Sequence, residues 1–96
     1  MIVVTVGQTG IIIKGHAGYA ENGKDIVCAA ISVLSQNLVN SLEMLTKDKI
    51  SCDTKSGYME ITWKNLSEQG KLLVDSFFIG IGSIATTYGE EYVRIR

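Results

Sequence analysis

The chain is organised around residues 15–32, which read GHAGYAENGKDIVCAAIS. This stretch contains the only histidine of the protein, His16, and one of its two cysteines, Cys28. Its first half is rich in glycine, whereas from Ile26 onward its apolar residues follow the spacing of an amphipathic helix. The sequence therefore predicts a glycine-rich loop that leads into a helix, with Cys28 in or beside the first helical turn.

A cysteine at the start of a helix is in a favourable place for a nucleophile. Unpaired backbone N–H groups and the positive end of the helix dipole stabilise a thiolate over a thiol. A histidine at the other end of the loop can fold back, because closing a short loop has a small entropic cost. Imidazole is the side chain with an ordinary pKa near neutrality, roughly 6.5, so it can accept a thiol proton. His16 and Cys28 are therefore the two residues that a cysteine nucleophile needs at least: a thiol and a base that activates it.

Both residues also have an ordinary structural explanation. Free cysteine is among the most often buried residue types, so Cys28 can be a small apolar residue of the helix stripe. Its position, one residue after the core-facing Val27, lies off the centre of that stripe. His16 can be a polar residue that closes the end of a strand. From the residues alone, a nucleophilic and a structural Cys28 are equally supported.

The same stretch resembles the signature of the bacterial ribosomal-processing cysteine protease family, Prp. The matching segments are residues 15–18 (GHAG), Gly23, residues 25–29 (DIVCA) and Ser32. The resemblance implies that Cys28 is the nucleophile and His16 its base. It also implies a substrate, since the family removes a short N-terminal extension from the twenty-seventh protein of the large ribosomal subunit.

Two further polar residues of the stretch have alternative roles. Asp25 is either a third catalytic residue that orients the imidazole or the N-cap of the helix, and the local sequence favours the cap. Ser32 lies one helical turn after Cys28, and its hydroxyl donates either to the thiolate or to the Cys28 carbonyl, with equal support. The other cysteine, Cys52, falls in a strand without basic or glycine-rich neighbours and is expected to be inert.

The glycines of the stretch predict a substrate loop. Gly15 and Gly18 are expected to let a substrate backbone approach closely, and backbone N–H groups near Cys28 are expected to form an oxyanion hole. Gly18 and Gly23 lose much backbone entropy when they are fixed. We therefore expect residues 17–24 to be mobile without substrate and to become ordered when a peptide binds.

Strands and helices alternate along the rest of the chain. Alternating or β-branched segments predict strands over residues 2–6, 11–15, 49–54, 58–63 and 92–95. Helical spacing predicts helices over residues 26–45 and from Ser67, as N-cap, to about residue 88. The order β-β-α-β-β-α-β is typical of an α+β two-layer sandwich, with a mostly antiparallel sheet and both helices on one face.

The apolar pattern of the two helices gives further expectations. In the first helix the core-facing residues are predicted to be Val27, Ile31, Leu34, Leu38, Leu42 and Leu45, with Ser35 on the other side. The apolar set of the second helix is wider than one stripe, and Gly80 and Gly82 predict either close backbone packing or a break. Surplus apolar surface on so short a chain indicates a homodimer.

Length and composition bound the class of protein. Ninety-six residues, 46% hydrophobic and 20% charged, fit one globular domain over residues 1–96. The net charge of −1 and the scattered basic residues argue against direct nucleic-acid binding. No zinc-ligand spacing is present, so no metal or cofactor is expected. Residues 1–10 lack the basic start of a signal peptide and no apolar run suggests a membrane span, which predicts a cytoplasmic protein with free thiols.

The sequence thus predicts a small dimeric cysteine endopeptidase, and the resemblance implies that it acts on a ribosomal protein extension. The alternative is a non-enzymatic peptide-binding or ribosome-assembly module in which Cys28 is incidental. A thiol redox sensor is a third class, and only Cys52 is available to it as a resolving cysteine.

Overall fold

A computed structural model describes all 96 residues, and it contains five strands and two helices. In chain order they are β1 (Ile2–Gly7), β2 (Gly10–Gly15), α1 (Ile26–Leu45), β3 (Ile50–Lys55), β4 (Tyr58–Trp63), α2 (Glu68–Tyr88) and β5 (Val93–Ile95). The predicted order β-β-α-β-β-α-β is therefore confirmed, and the strand limits differ from the predicted ones by one residue at most. The α+β fold class is confirmed as well.

The five strands form one sheet in the order β3-β4-β2-β1-β5. All neighbours are antiparallel except β1 and β5, which are parallel because α2 carries the chain across the sheet between β4 and β5. Two-residue turns close the hairpins β1–β2 and β3–β4. The pairing of β2 with β4 brings the end of β2 beside the turn between β3 and β4, which becomes important for the site.

The core lies between one face of this sheet and the two helices. Strand side chains alternate between faces, and every buried strand residue belongs to the same face. These buried strand residues are Ile2, Val4, Ile11, Ile13, Ile61, Trp63 and Val93. They form one cluster with the helix residues Val27, Ile31, Leu38, Val39, Leu42, Val74, Phe77 and Ile81. Both helices therefore lie on one face of the sheet, as predicted.

Helix α1 has the predicted limits, but the predicted burial of two of its side chains is wrong. Leu45 is 69% exposed because it is the last residue of the helix, and no following turn covers it. Ser35, expected on the outer side, is buried one turn after Ile31. Its hydroxyl donates to the carbonyl oxygen of Ile31 at 2.7 Å, so the buried polar group keeps a hydrogen-bond partner.

Helix α1 also corrects the expectation about membrane spans. By length and composition alone its 20 residues are apolar enough to cross a membrane. Core helices of globular domains pass the same test, and the stripe of α1 that contains Val27, Ile31 and Leu42 packs in the core described above.

Helix α2 begins with Ser67 as its N-cap, as predicted, and runs without a break to Tyr88. The two glycines of this helix differ in their surroundings. A side chain at Gly80 would come within 2.9 Å of Leu34, so this glycine permits close packing of α2 on α1. Gly82 faces open space. Close packing is therefore confirmed at Gly80, and the predicted alternative of a broken helix is wrong.

Candidate active site

Cys28 is the third residue of α1, and its thiol is half-buried. The backbone N–H of Ala17 donates to the Cys28 sulfur at an N–S distance of 3.2 Å. Because Ala17 directly follows His16, this bond places the start of the loop against the thiol. An N–H donor of this kind stabilises the negative charge of a thiolate.

Asp25 holds both ends of the loop. One carboxylate oxygen accepts the N–H of Cys28 at 2.9 Å, which makes Asp25 the N-cap of α1. The other oxygen accepts the N–H groups of Tyr19 and Ala20 at 2.9 and 3.3 Å. These backbone hydrogen bonds, that of Cys28 foremost, outweigh the opposing effect of desolvation and lower the pKa of Asp25. The carboxylate makes no hydrogen bond to His16, so the geometry favours the capping role.

His16 follows the last residue of β2, and its side chain is exposed. The imidazole lies against Gly57 in the turn between β3 and β4: a Cβ atom on Gly57 would be 2.7 Å from the histidine Nε2. The ring makes no hydrogen bond to the Cys28 sulfur in this structure, where the sulfur accepts from Ala17 instead. Both side chains nevertheless line the same two cavities.

The two cavities that meet at the thiol differ in chemistry. The first, of about 410 Å³, lies between α1 and the β3–β4 hairpin. Its apolar lining consists of Ile2, Ile13, Ile31, Tyr58 and Met59 together with Cys28. The second, of about 580 Å³, lies on the loop side and is lined mainly by small and polar residues, among them Gly18, Asn22, Gly23 and Ser56. Polar residues, among them Gln36, Thr54 and Lys55, line the first cavity as well. We call the first the apolar cavity after its aliphatic wall and the second the polar cavity, and the thiol lies at their junction.

Ser32 lines both cavities beside Cys28 but makes neither of the two predicted hydrogen bonds. The serine of α1 that donates to the carbonyl one turn earlier is Ser35. The hydroxyl of Ser32 is exposed and remains free to meet a bound molecule.

The three predicted loop glycines have different environments. Gly15 has a φ of 106°, and the carbonyl of Met1 occupies the space that a side chain would need. Gly15 also lines the apolar cavity, so its expected role beside a substrate backbone stays a prediction. Gly18 and Gly23 also have positive φ, and a Cβ atom on either of them would meet no other atom within 4 Å. Both line the polar cavity, as a substrate loop requires.

Several residues of the site were not predicted from the sequence. Ala17 is buried and supplies the N–H donor to Cys28. The ring of Tyr19 makes edge-to-face contacts with the rings of Tyr88 and Tyr92, at centroid distances of 5.4 and 5.2 Å. Gly57 contacts the imidazole of His16. The contacts of Tyr19 and Gly57 join segments that are distant in sequence, so no local pattern indicated them. Ala17 and Cys28 lie in the same stretch, but the sequence did not indicate which backbone N–H meets the thiol.

Cys52 lies in β3, at the edge of the sheet, and is exposed. Partial burial of the sulfur, with the negative charges of Asp53 and Glu43 nearby, raises the pKa of Cys52. A raised pKa reduces the thiolate fraction near neutral pH, which disfavours Cys52 as a nucleophile. No group of three His, Cys, Asp or Glu side chains is arranged to hold a metal ion.

A thiol at a helix start that accepts a backbone N–H, with a histidine lining the same cleft, is an arrangement typical of cysteine hydrolases. Comparison with known proteins identifies the class: residues 1–94 match the family model described as cysteine protease Prp. The chain belongs to this family of cysteine proteases.

Individual relatives agree with this assignment. The ribosomal processing cysteine protease Prp of Staphylococcus aureus is 29% identical over 85 residues, which cover 85% of this chain and 80% of that protein. The crystal structure of Prp from S. aureus with a covalently linked product peptide superposes with a TM-score of 0.91 at 28% identity, covering 100% and 98% of the two chains. A Streptococcus mutans protein superposes with a TM-score of 0.77 at 35% identity, covering 99% of this chain and 90% of that one.

Proposed function

We propose that this protein removes the N-terminal extension of a large-subunit ribosomal protein, the twenty-seventh, with Cys28 as nucleophile and His16 as base. The observation that carries the proposal is the placement of both side chains in one cleft, with the N–H of Ala17 on the sulfur. The related S. aureus enzyme is a ribosomal processing protease that has been crystallised with a covalently linked product peptide. Two cavities that adjoin at Cys28 and share the lining residues His16 and Ser32 suit an extended peptide of this kind.

The chemistry follows from these groups. His16 takes the thiol proton, and the Cys28 sulfur attacks the scissile carbonyl carbon to form a tetrahedral intermediate. When the C–N bond breaks, the imidazolium gives its proton to the leaving amine and a thioester remains. Water then attacks the thioester, with His16 as base, and releases the new carboxylate and the free thiol. We assign the N–H of Ala17, which donates to the sulfur at 3.2 Å in the free protein, as a donor to the oxyanion of the two tetrahedral intermediates.

The two cavities accommodate the peptide on either side of the scissile bond. The aliphatic wall of the apolar cavity, formed by Ile13, Ile31 and Met59, suits large apolar or aromatic side chains, and Gln36, Thr54 and Lys55 can meet polar groups of the peptide at the same cavity. The loop-side cavity, whose lining includes Gly18, Asn22, Asp25 and Ser56, suits small or polar residues. No cofactor takes part in this scheme.

The direct experiment is to incubate the purified protein with the extended ribosomal protein and to measure both masses over time. We expect one cut, within the N-terminal extension, and the unextended ribosomal protein as a stable product. If the protein bound the extension without cutting it, the non-enzymatic assembly module would be the correct interpretation. Ribosomal proteins are assembled in the cytoplasm, which is where we propose that the protein acts.

We also propose that the protein is a homodimer. A shallow apolar groove on the outer side of the helices is lined by Ala29, Ala30, Val33, Leu34, Gly80 and Ile84. Val33 is 67% exposed there, and Ile79 of α2, which precedes Gly80, is exposed as well. A second copy of the chain offers the same apolar surface and would cover it.

Light scattering at micromolar concentration is therefore expected to give twice the mass of one chain. Replacing Val33 with aspartate puts a charge into the groove and is expected to weaken the dimer by roughly tenfold or more. Met44→Asp is the matched control, because Met44 is an exposed apolar residue of α1 outside the groove. A wild-type protein that stays monomeric, or a Met44 variant that dissociates equally, would refute this interface.

A separate prediction concerns the mobility of residues 17–24. A Cβ atom on Gly18 or Gly23 would meet no other atom within 4 Å, whereas the bonds from Tyr19 and Ala20 to Asp25 anchor the start of the loop and the N–H of Lys24 donates to the Glu21 carbonyl at its end. We expect the amides of residues 21–23 to exchange hydrogen rapidly in the free protein and to be protected when a non-cleavable substrate peptide binds. Strong and equal protection in both states would mean that the site is formed before substrate arrives.

A further inference from the structure

We propose that Gly57 positions His16 for catalysis, an inference that rests on the proposed role of His16 as the base. Gly57 is in the two-residue turn between β3 and β4 and has a φ of 67°. A Cβ atom on Gly57 would be 2.7 Å from Nε2 of His16 and 3.2 Å from both Cδ2 and Cε1. The imidazole therefore occupies the space in which any other residue would place its side chain.

The backbone of Gly57 ties the same region from a second direction. Its carbonyl oxygen accepts the N–H of Gly15, the residue before His16, at 2.8 Å. Gly57 thus contacts both the ring of His16 and the backbone of Gly15, the residue before it. Gly57, His16 and Cys28 all line the apolar cavity. The contact between Gly57 and His16 therefore fixes the position of the cavity wall that faces the thiol.

A side chain at position 57 would displace the imidazole rather than disrupt the fold. The ring is the exposed end of a rotatable side chain, so it moves at a smaller cost than the backbone around it. Displacement by about 1 Å is enough to reduce turnover by roughly 100-fold when a catalytic group depends on its orientation. Gly57 is therefore a positioning residue, which acts only through His16.

The test uses two substitutions, Gly57→Ala and Gly57→Asn. Both add a Cβ atom, but asparagine tolerates a positive φ better than alanine, so the second variant separates the contact with His16 from backbone strain. We expect both variants to lower kcat for peptide cleavage by roughly tenfold to 100-fold, with a smaller change in KM. The pH profile of Cys28 alkylation by iodoacetamide should shift towards that of the His16→Ala protein.

Gly89→Ala is the matched control for these variants. Gly89 also has a positive φ, 123°, and lines neither of the two cavities, and a Cβ there would be 2.8 Å from the end of the flexible Glu91 side chain. This variant should lose thermal stability as Gly57→Ala does, while its kcat and alkylation profile stay at wild-type values. A loss of turnover equal to that of Gly57→Ala would overturn the inference.

A double-mutant cycle distinguishes the inference from the proposed function. In the His16→Ala background, Gly57→Ala should have no further effect on kcat, because the group through which Gly57 acts is gone. If His16→Ala alone keeps the wild-type rate, the role of His16 in the proposed function is wrong. If His16→Ala is slow but both Gly57 variants are normal, or if the double variant is slower than His16→Ala, only the positioning role fails. Should Gly57→Ala not fold, the Gly57→Asn protein gives the same comparison.

Discussion

Replacing Cys28 with alanine is expected to abolish peptide cleavage while the protein stays folded. The sulfur forms the covalent bond to the substrate, and no other group near it can replace that step. Loss of a covalent nucleophile in a hydrolase reduces kcat by roughly a millionfold. The thiol is half-buried and its only hydrogen bond is the N–H of Ala17, so its removal leaves no buried group without a partner except that one donor.

The measurement is the cleavage rate of the extended ribosomal protein, compared with the thermal midpoint of the same sample. Cys52→Ser is the matched control, because it removes the other thiol from an exposed position in β3. That variant should cleave at the wild-type rate. A Cys28→Ala protein with normal activity, or an inactive but stable Cys52→Ser protein, would move the nucleophile away from Cys28.

Replacing His16 with alanine has the second largest expected effect. A positioned general base contributes roughly 10²- to 10⁴-fold to a rate, so kcat should fall by that range. Because the imidazole is exposed, the free energy of unfolding should change by only about 0.5 kcal/mol or less. The residual activity should rise with pH, because hydroxide from the solvent increasingly removes the thiol proton in place of the missing imidazole.

The pH profile of kcat/KM shows whether His16 or another group serves as the base. The wild-type profile should be bell-shaped, from one group that must lose a proton and one that must keep it. In His16→Ala one limb should disappear. An unchanged profile would show that another group serves as the base.

The sequence predicted the elements of this fold almost to the residue because their signals are local. The apolar spacing of α1 and its cap Asp25 lie within a few positions of one another, and the structure has the same limits. Ser35 was misplaced because a helical pattern assigns polar residues to the outer face. Its hydrogen bond to Ile31, which permits burial, depends on packing that the pattern does not contain.

The site was predictable only in part, because some of its contacts depend on strand pairing and packing that a local pattern does not contain. His16 and Cys28 stood out through their residue types and the resemblance of residues 15–32 to a known signature. Gly57 did not, because its contact with His16 is created by the pairing of β2 with β4, between strands far apart in the chain. The donor Ala17 was equally hidden, since the sequence indicated backbone N–H groups near the thiol without indicating which one.

The central claim is that the Cys28 sulfur carries the acyl group during cleavage of the ribosomal protein extension. The most direct measurement is mass spectrometry of the protein after reaction with a peptide of the extension that bears an electrophile at the scissile carbonyl. We predict one adduct per chain, located on Cys28, and its absence in the Cys28→Ala protein. An adduct on Cys52, or full cleavage activity in a sample whose Cys28 is completely blocked, would contradict this claim.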